Sequence, residues 1–149
     1  MLCRGINIAV ETNLYHTFNK IEPLIKKLNL LMFDIKIFDD KKHKKYTHMG
    51  NSLILENAKK TDLLGIPMII RTPLIPGITD DAENLTETAE FISGMKNVLY
   101  YELLNFNPLG GSKYNALCRE YEFIGDRPFS SEKLDSIAKL LSEYNIKIS

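Results

Sequence analysis

Residues 30–38 read Leu-Leu-Met-Phe-Asp-Ile-Lys-Ile-Phe. Nine residues are too few for a buried helix, and the β-branched Ile35 and Ile37 suit a pleated backbone, so the stretch predicts a strand. Side chains alternate along a strand: Met32, Asp34 and Lys36 share one face, and Phe33, Ile35 and Ile37 share the other. A carboxylate and an ammonium two residues apart on a mostly buried strand are costly unless they serve a ligand, an ion or each other.

The same kind of segment recurs on either side. Residues 6–10 (INIAV) predict an earlier strand, followed by a helix with apolar positions Phe18, Ile21, Leu24, Ile25 and Leu28. After residue 38, Asp39 and Asp40 suit a helix N-terminus, and helical spacing continues through Leu53, Leu55, Ala58 and Leu63 to a stop at Gly65. Residues 66–74 (IPMIIRTPL) predict a third strand, and Pro76–Gly77 fits the centre of a type II turn. Thr79 or Asp80 is the expected cap of a helix carrying Leu85, Ala89 and Phe91 or Ile92. Residues 98–104 (VLYYELL) predict a fourth strand, trailed by a long polar loop to about residue 127. Ser130 or Ser131 should cap a last helix with Leu134, Ile137, Ala138 and Leu141, and residues 144–148 (YNIKI) suit a short fifth strand.

This order is β-α four times over, which requires parallel strands with helices outside them and predicts an α/β fold in a single domain over residues 1–149. Four units cannot close an eight-stranded barrel, leaving an open doubly wound sheet or an arc of a barrel. Strands apolar on both faces are expected to be covered on both.

In 149 residues, 44% apolar and 26% charged, nineteen basic side chains balance nineteen acidic ones. No global field draws nucleic acid or an anionic membrane, so neither is an expected partner. The run from Lys41 to Lys45 reads as a solvated helix face. No apolar run approaches the roughly 20 residues of a membrane span, and residues 1–13 do not resemble a secretory leader, so a cytoplasmic setting is expected. The two cysteines, Cys3 and Cys118, stand near opposite ends of the sequence, without metal-ligand spacing.

Parallel sheets build their sites at the C-terminal ends of the strands. All four long strands end in polar residues: Glu11-Thr12-Asn13, Asp34 with Lys36, Arg71-Thr72, and Asn105 with Asn107. Arg71 could fork onto a ligand's carboxylate or phosphate, or form a salt bridge to Glu11 or Asp34. Residues 105–111 (NFNPLGG) would let backbone approach a ligand closely, or simply turn. His16 and His48 read as surface or capping residues.

Taken in order, ETN at 11–13, MFDIK at 32–36, IIRTPLIPGITD at 69–80 and ELLNFNPLGGSKY at 102–114, with His43, Gly50-Asn51 and Tyr121, resemble the C-terminal two-thirds of the glycyl-radical-enzyme activating enzymes. That family includes pyruvate formate-lyase activating enzyme. The resemblance implies a radical S-adenosylmethionine fold, an incomplete TIM-like barrel of which this chain supplies the last four β/α units. It implies a [4Fe–4S] cluster held by a CxxxCxxC loop, reductive cleavage of S-adenosylmethionine to a 5′-deoxyadenosyl radical, and hydrogen removal from a backbone glycine of a glycyl radical enzyme, with flavodoxin as a reductant.

The CxxxCxxC motif does not occur in these 149 residues, which open at the family's third strand, so the chain alone is expected to be inactive. Matched by position, Thr12, Asp34, Lys36, Arg71 and Asn107 are implied cofactor contacts. Glu11, Thr12, Met32 and Asp34 match a monovalent-cation site, Thr12 and Met32 through main-chain carbonyls. Glu11 stands where some relatives have aspartate, and Asn107 where others have histidine. Two other readings of the residues are an aldolase-like barrel piece, with Lys36 forming a Schiff base, and a non-catalytic binding module.

Overall fold

A computed structural model describes residues 5–120, 123 and 125–149; Cys3 and Tyr121 lie outside the described residues. Four strands, β1 (Ala9–Glu11), β2 (Leu30–Asp34), β3 (Met68–Pro73) and β4 (Val98–Leu104), form one sheet in sequence order, every pair parallel. Helices α1 (Phe18–Ile25), α2 (Asp40–Thr47), α3 (Ser52–Leu63), α4 (Ala82–Ser93), α5 (Gly110–Ala116) and α6 (Ser131–Leu141) fill the connections.

The two faces of the sheet differ. Leu31, Phe33, Met68, Ile70 and Tyr101 are sealed against Phe18 and Ile25 of α1, Ile54 and Ala58 of α3, Leu85, Ala89 and Ile92 of α4, and Ile137 and Leu141 of α6. On the other face Glu11, Met32, Asp34, Arg71, Tyr100 and Glu102 remain at least partly exposed. The expectation of strands covered on both faces is therefore corrected. One covered face and one open, polar face is the arrangement of a barrel arc, with helices outside and strands lining the concavity, and not that of a doubly wound sheet.

Several boundaries move for local reasons. β1 is shorter than residues 6–10, and its start is held instead by the Asn29 side chain, whose Oδ1 accepts from Ile8 N at 2.9 Å. The predicted continuous helix after Asp39 is two. His48 takes a left-handed backbone (φ 63°), and Gly50 sits so close to Asp40 that a Cβ would lie 2.6 Å from its Oδ1. That oxygen accepts from Asn51 N, while Asp39 caps α2 by accepting from Lys42 N.

The cap of α4 is Asp81, not Thr79 or Asp80. Those two tie down the preceding turn: Thr79 Oγ1 donates to Pro73 O and accepts from Ile75 N, and Asp80 Oδ1 accepts from Gly77 N. The turn is the expected type II, with Ile78 N donating to Ile75 O and Gly77 at φ 71°. The predicted loop after β4 contains α5, and Ser130 caps α6. Residues 144–148 contribute only an isolated parallel bridge, Ile148 to Tyr101, on the β4 edge.

Candidate active site at the strand C-termini

Register places Asp34 beside Arg71 and Glu11 beside Met32 on the open face. The Arg71 guanidinium donates through Nε to Asp34 Oδ1 at 2.9 Å and through Nη2 to Glu11 Oε1 at 2.5 Å. Lys36 Nζ donates to the other oxygen of Asp34, Oδ2, at 3.1 Å. Four of the expected site residues thus form one array, Glu11–Arg71–Asp34–Lys36. The hydrogen bond and charge of Arg71 hold the Glu11 carboxyl below the usual carboxylate range, and Glu11 in turn raises the basicity of Arg71.

The other expected residues are placed differently. Thr12 follows β1, its N–H donating to Met32 O and its Oγ1 accepting from Leu14 N. Asn107 is exposed, and its Oδ1 accepts from Leu109 N, so its amide shapes the turn into α5 and has no bond to the array. Asn105 pairs with both backbone polar groups of Phe129.

Lys36 stands at the wall between two clefts. One of about 220 Å³ is lined by Asn13, Tyr15, Asp34, Lys36 and His43 among others; the second, about 470 Å³, lies towards Tyr46, Ile75 and Ile78. His43 is buried, and its Nδ1 lies 2.7 Å from the carbonyl of Met49. A carbonyl only accepts, so Nδ1 carries the proton. Nε2 makes no hydrogen bond among the described residues, and the ring lines the smaller cleft.

Buried amides were missed as site residues in the sequence. Asn57 Nδ2 donates to Leu14 O and His16 O, fastening the loop after β1 where Leu14 adopts φ 55°. Asn51 and Asn84 fasten the segment after β2. The available signal was a polar amide on the apolar stripe of a helix: Asn57 beside Ala58 and Asn84 beside Leu85.

No protein-family model matches the chain. It is 37% identical over 149 residues to trans-4-hydroxy-L-proline dehydratase activating enzyme of Clostridioides difficile, covering 97% of this chain and 49% of that protein. It is 33% identical over 150 residues to pyruvate formate-lyase-activating enzyme of Staphylococcus epidermidis, covering 97% and 59%. Its homologues are glycyl-radical-enzyme activating enzymes. The chain spans about half the length of the activating enzymes it matches. A domain of pyruvate-formate lyase-activating enzyme from Bacteroides vulgatus superimposes with a TM-score of 0.79 at 24% identity, over 99% of this chain and 82% of that one, and so shares the fold.

Three groups expected from the activating-enzyme resemblance can be tested against these residues. Three thiolates at close spacing are needed for the cluster, and the chain has two cysteines; Cys118, after α5, is exposed. This chain therefore does not fit the cluster. S-adenosylmethionine, a zwitterion with a sulfonium and two ribose hydroxyls, fits a rim carrying Asp34, Lys36 and an imidazole with a free nitrogen. For a cation the fit is poorer: Arg71 already bridges Glu11 and Asp34, and no cluster of three metal-ligating side chains occurs among the described residues.

Proposed function

We propose that the chain is the C-terminal β/α portion of a radical S-adenosylmethionine enzyme that installs a glycyl radical on a partner enzyme. The observation that supports this most is the Glu11–Arg71–Asp34–Lys36 array at the strand ends of a barrel arc. In this reading Lys36 and Asp34 hold the polar end of the cofactor, Arg71 fixes Asp34, and Thr12 and Asn107 border the site. When bound, S-adenosylmethionine would supply the hydrogen-abstracting radical, and these residues would hold and orient it.

The partner is a glycyl radical enzyme, and a flavodoxin-type protein supplies the electron. A monovalent cation between Glu11 and Asp34, with carbonyls of Thr12 and Met32, would have to displace Arg71 from Glu11 and competes with it for that place. The fold is proposed to be a single domain and its setting the cytoplasm; no helix among the described residues is long and apolar enough to cross a membrane. The Schiff-base alternative is disfavoured, because Lys36 is engaged as a donor to Asp34 and is half-exposed, whereas a nucleophilic lysine must be a free, desolvated amine.

The test is a chimaera in which the CxxxCxxC-bearing half of the Clostridioides difficile relative precedes residue 1, reconstituted with iron and sulfide and mixed with that relative's partner. A glycyl-radical doublet in the electron paramagnetic resonance spectrum is expected. A chimaera that holds the cluster and binds S-adenosylmethionine yet gives no radical overturns the reading.

A further inference from the structure

Residues 35–38 continue the direction of β2 after its ladder ends, and a loop in that position would ordinarily turn its carbonyls to water. Here every one is taken by a buried side chain. Thr72 Oγ1 donates to Ile35 O at 2.6 Å, and Asn84 Nδ2 donates to Lys36 O at 3.1 Å. Asn51 Nδ2 donates to Ile37 O at 3.0 Å and also to Phe38 O. Asn84 Oδ1 meanwhile accepts from Phe38 N at 2.7 Å. The three donors come from β3, the start of α3 and the start of α4, and all are at least nineteen-twentieths buried.

We propose that Thr72, Asn51 and Asn84 are positioning residues for Lys36, fixing through main-chain carbonyls the direction in which its ammonium leaves the strand. Burial of Ile35 and Ile37 sends Lys36 to the opposite face but leaves the finer rotation about the chain axis open, because apolar contacts are not directional. Directional hydrogen bonds at four successive carbonyls determine that rotation. A buried polar network contributes specificity of this kind even where apolar packing would serve stability equally well. The consequence for the cofactor rests on the proposed role of Lys36.

The experiment measures the nitrogen-15 order parameter of each lysine ammonium in the full chain. The wild-type Lys36 value should exceed those of Lys20 and Lys27, and in Asn84→Asp and Thr72→Val it should fall to theirs. Asn84→Asp removes the donors at constant shape, and Thr72→Val removes the hydroxyl at constant volume. Ile92→Val, which lightens the core of α4, should lower the melting temperature and leave Lys36 unchanged. Affinity for S-adenosylmethionine, titrated in the same proteins, should fall about tenfold in the two network variants. A wild-type Lys36 value in either folded variant overturns the proposal. So does unfolding of both while Ile92→Val stays folded, since the residues would then serve stability alone. If the wild-type chain fails to bind S-adenosylmethionine, the cofactor reading fails, and the order parameters still decide the positioning role.

Discussion

Arg71 and Glu11 are 60 residues apart in sequence and 2.5 Å apart in space, the guanidinium reaching from β3 across β2 to the edge strand. Because Nε of the same group holds Asp34, one side chain ties three strands together at the mouth of the arc. Only a planar fork with several donors can do this.

Arg71→Met should lower unfolding free energy by about 1–3 kcal/mol, since it leaves the half-buried Asp34 with one partner fewer. Arg71→Lys should recover little of the loss, lacking the second arm. Urea unfolding of the three proteins checks both statements; equal stability of Arg71→Lys and wild type would count against the tie.

Acid should weaken the fold through Asp81 and Glu11. Desolvation alone would raise Asp81, yet the Lys42 ammonium at 2.5 Å and the Asn84 N–H outweigh it and hold the carboxyl below its ordinary 3.8. Arg71 holds Glu11 below its ordinary 4.5. A depressed folded-state pKa contributes stability that is present above the unfolded value and lost as pH falls through the folded one. Unfolding free energy should therefore decline below about pH 4.5. Asp81→Asn, which keeps a good helix cap and removes the charge, should flatten that decline. An unchanged slope in Asp81→Asn would refute the assignment.

The strands were legible because their signals are local. VLYYELL occupies residues 98–104 as read, and the polar endings of three strands converge as expected. What the sequence hid was set by tertiary partners. β2 stops at Asp34 because beyond it the carbonyls meet side chains and not a neighbouring strand. The helical spacing across residues 39–65 conceals a break that depends on Gly50 packing against Asp40. Asp34 ends β2, whereas Asn107 lies three residues beyond the end of β4 and its side chain folds back on its own turn, a choice made by α5, which the composition of residues 105–127 did not announce.

Lys36→Ala should weaken S-adenosylmethionine binding by about 1.5–3 kcal/mol, or roughly 10- to 150-fold, the usual cost of a charge-assisted contact. Isothermal titration reads this directly. Unchanged affinity would leave Lys36 as the rim partner of Asp34 and nothing more.

Replacing Na⁺ and K⁺ with a bulky organic cation should weaken cofactor binding if an ion enters between Glu11 and Asp34, with a larger effect in Arg71→Met, where the competitor is gone. Identical isotherms in all salts, in both proteins, would remove the cation from the site.

The chain purified alone, after anaerobic treatment with iron and sulfide and reduction with dithionite, should release no 5′-deoxyadenosine and hold no stoichiometric cluster, having two cysteines where three close thiolates are needed. Product at one equivalent per chain would show that the radical chemistry is housed within these residues.

Asn84 uses both ends of its amide at once, donating to Lys36 O and Thr79 O while accepting from Phe38 N. Aspartate lacks the donors, glutamine is one methylene too long, and leucine of similar bulk strands all three backbone groups. The usual ranking of tolerance, in which interior positions accept apolar exchange and reject polar residues, should invert here. In a saturation-mutagenesis library of folded variants sorted for S-adenosylmethionine binding, Ile92 and Leu85 should accept their aliphatic neighbours, while position 84, equally deep in the interior, should accept asparagine almost alone.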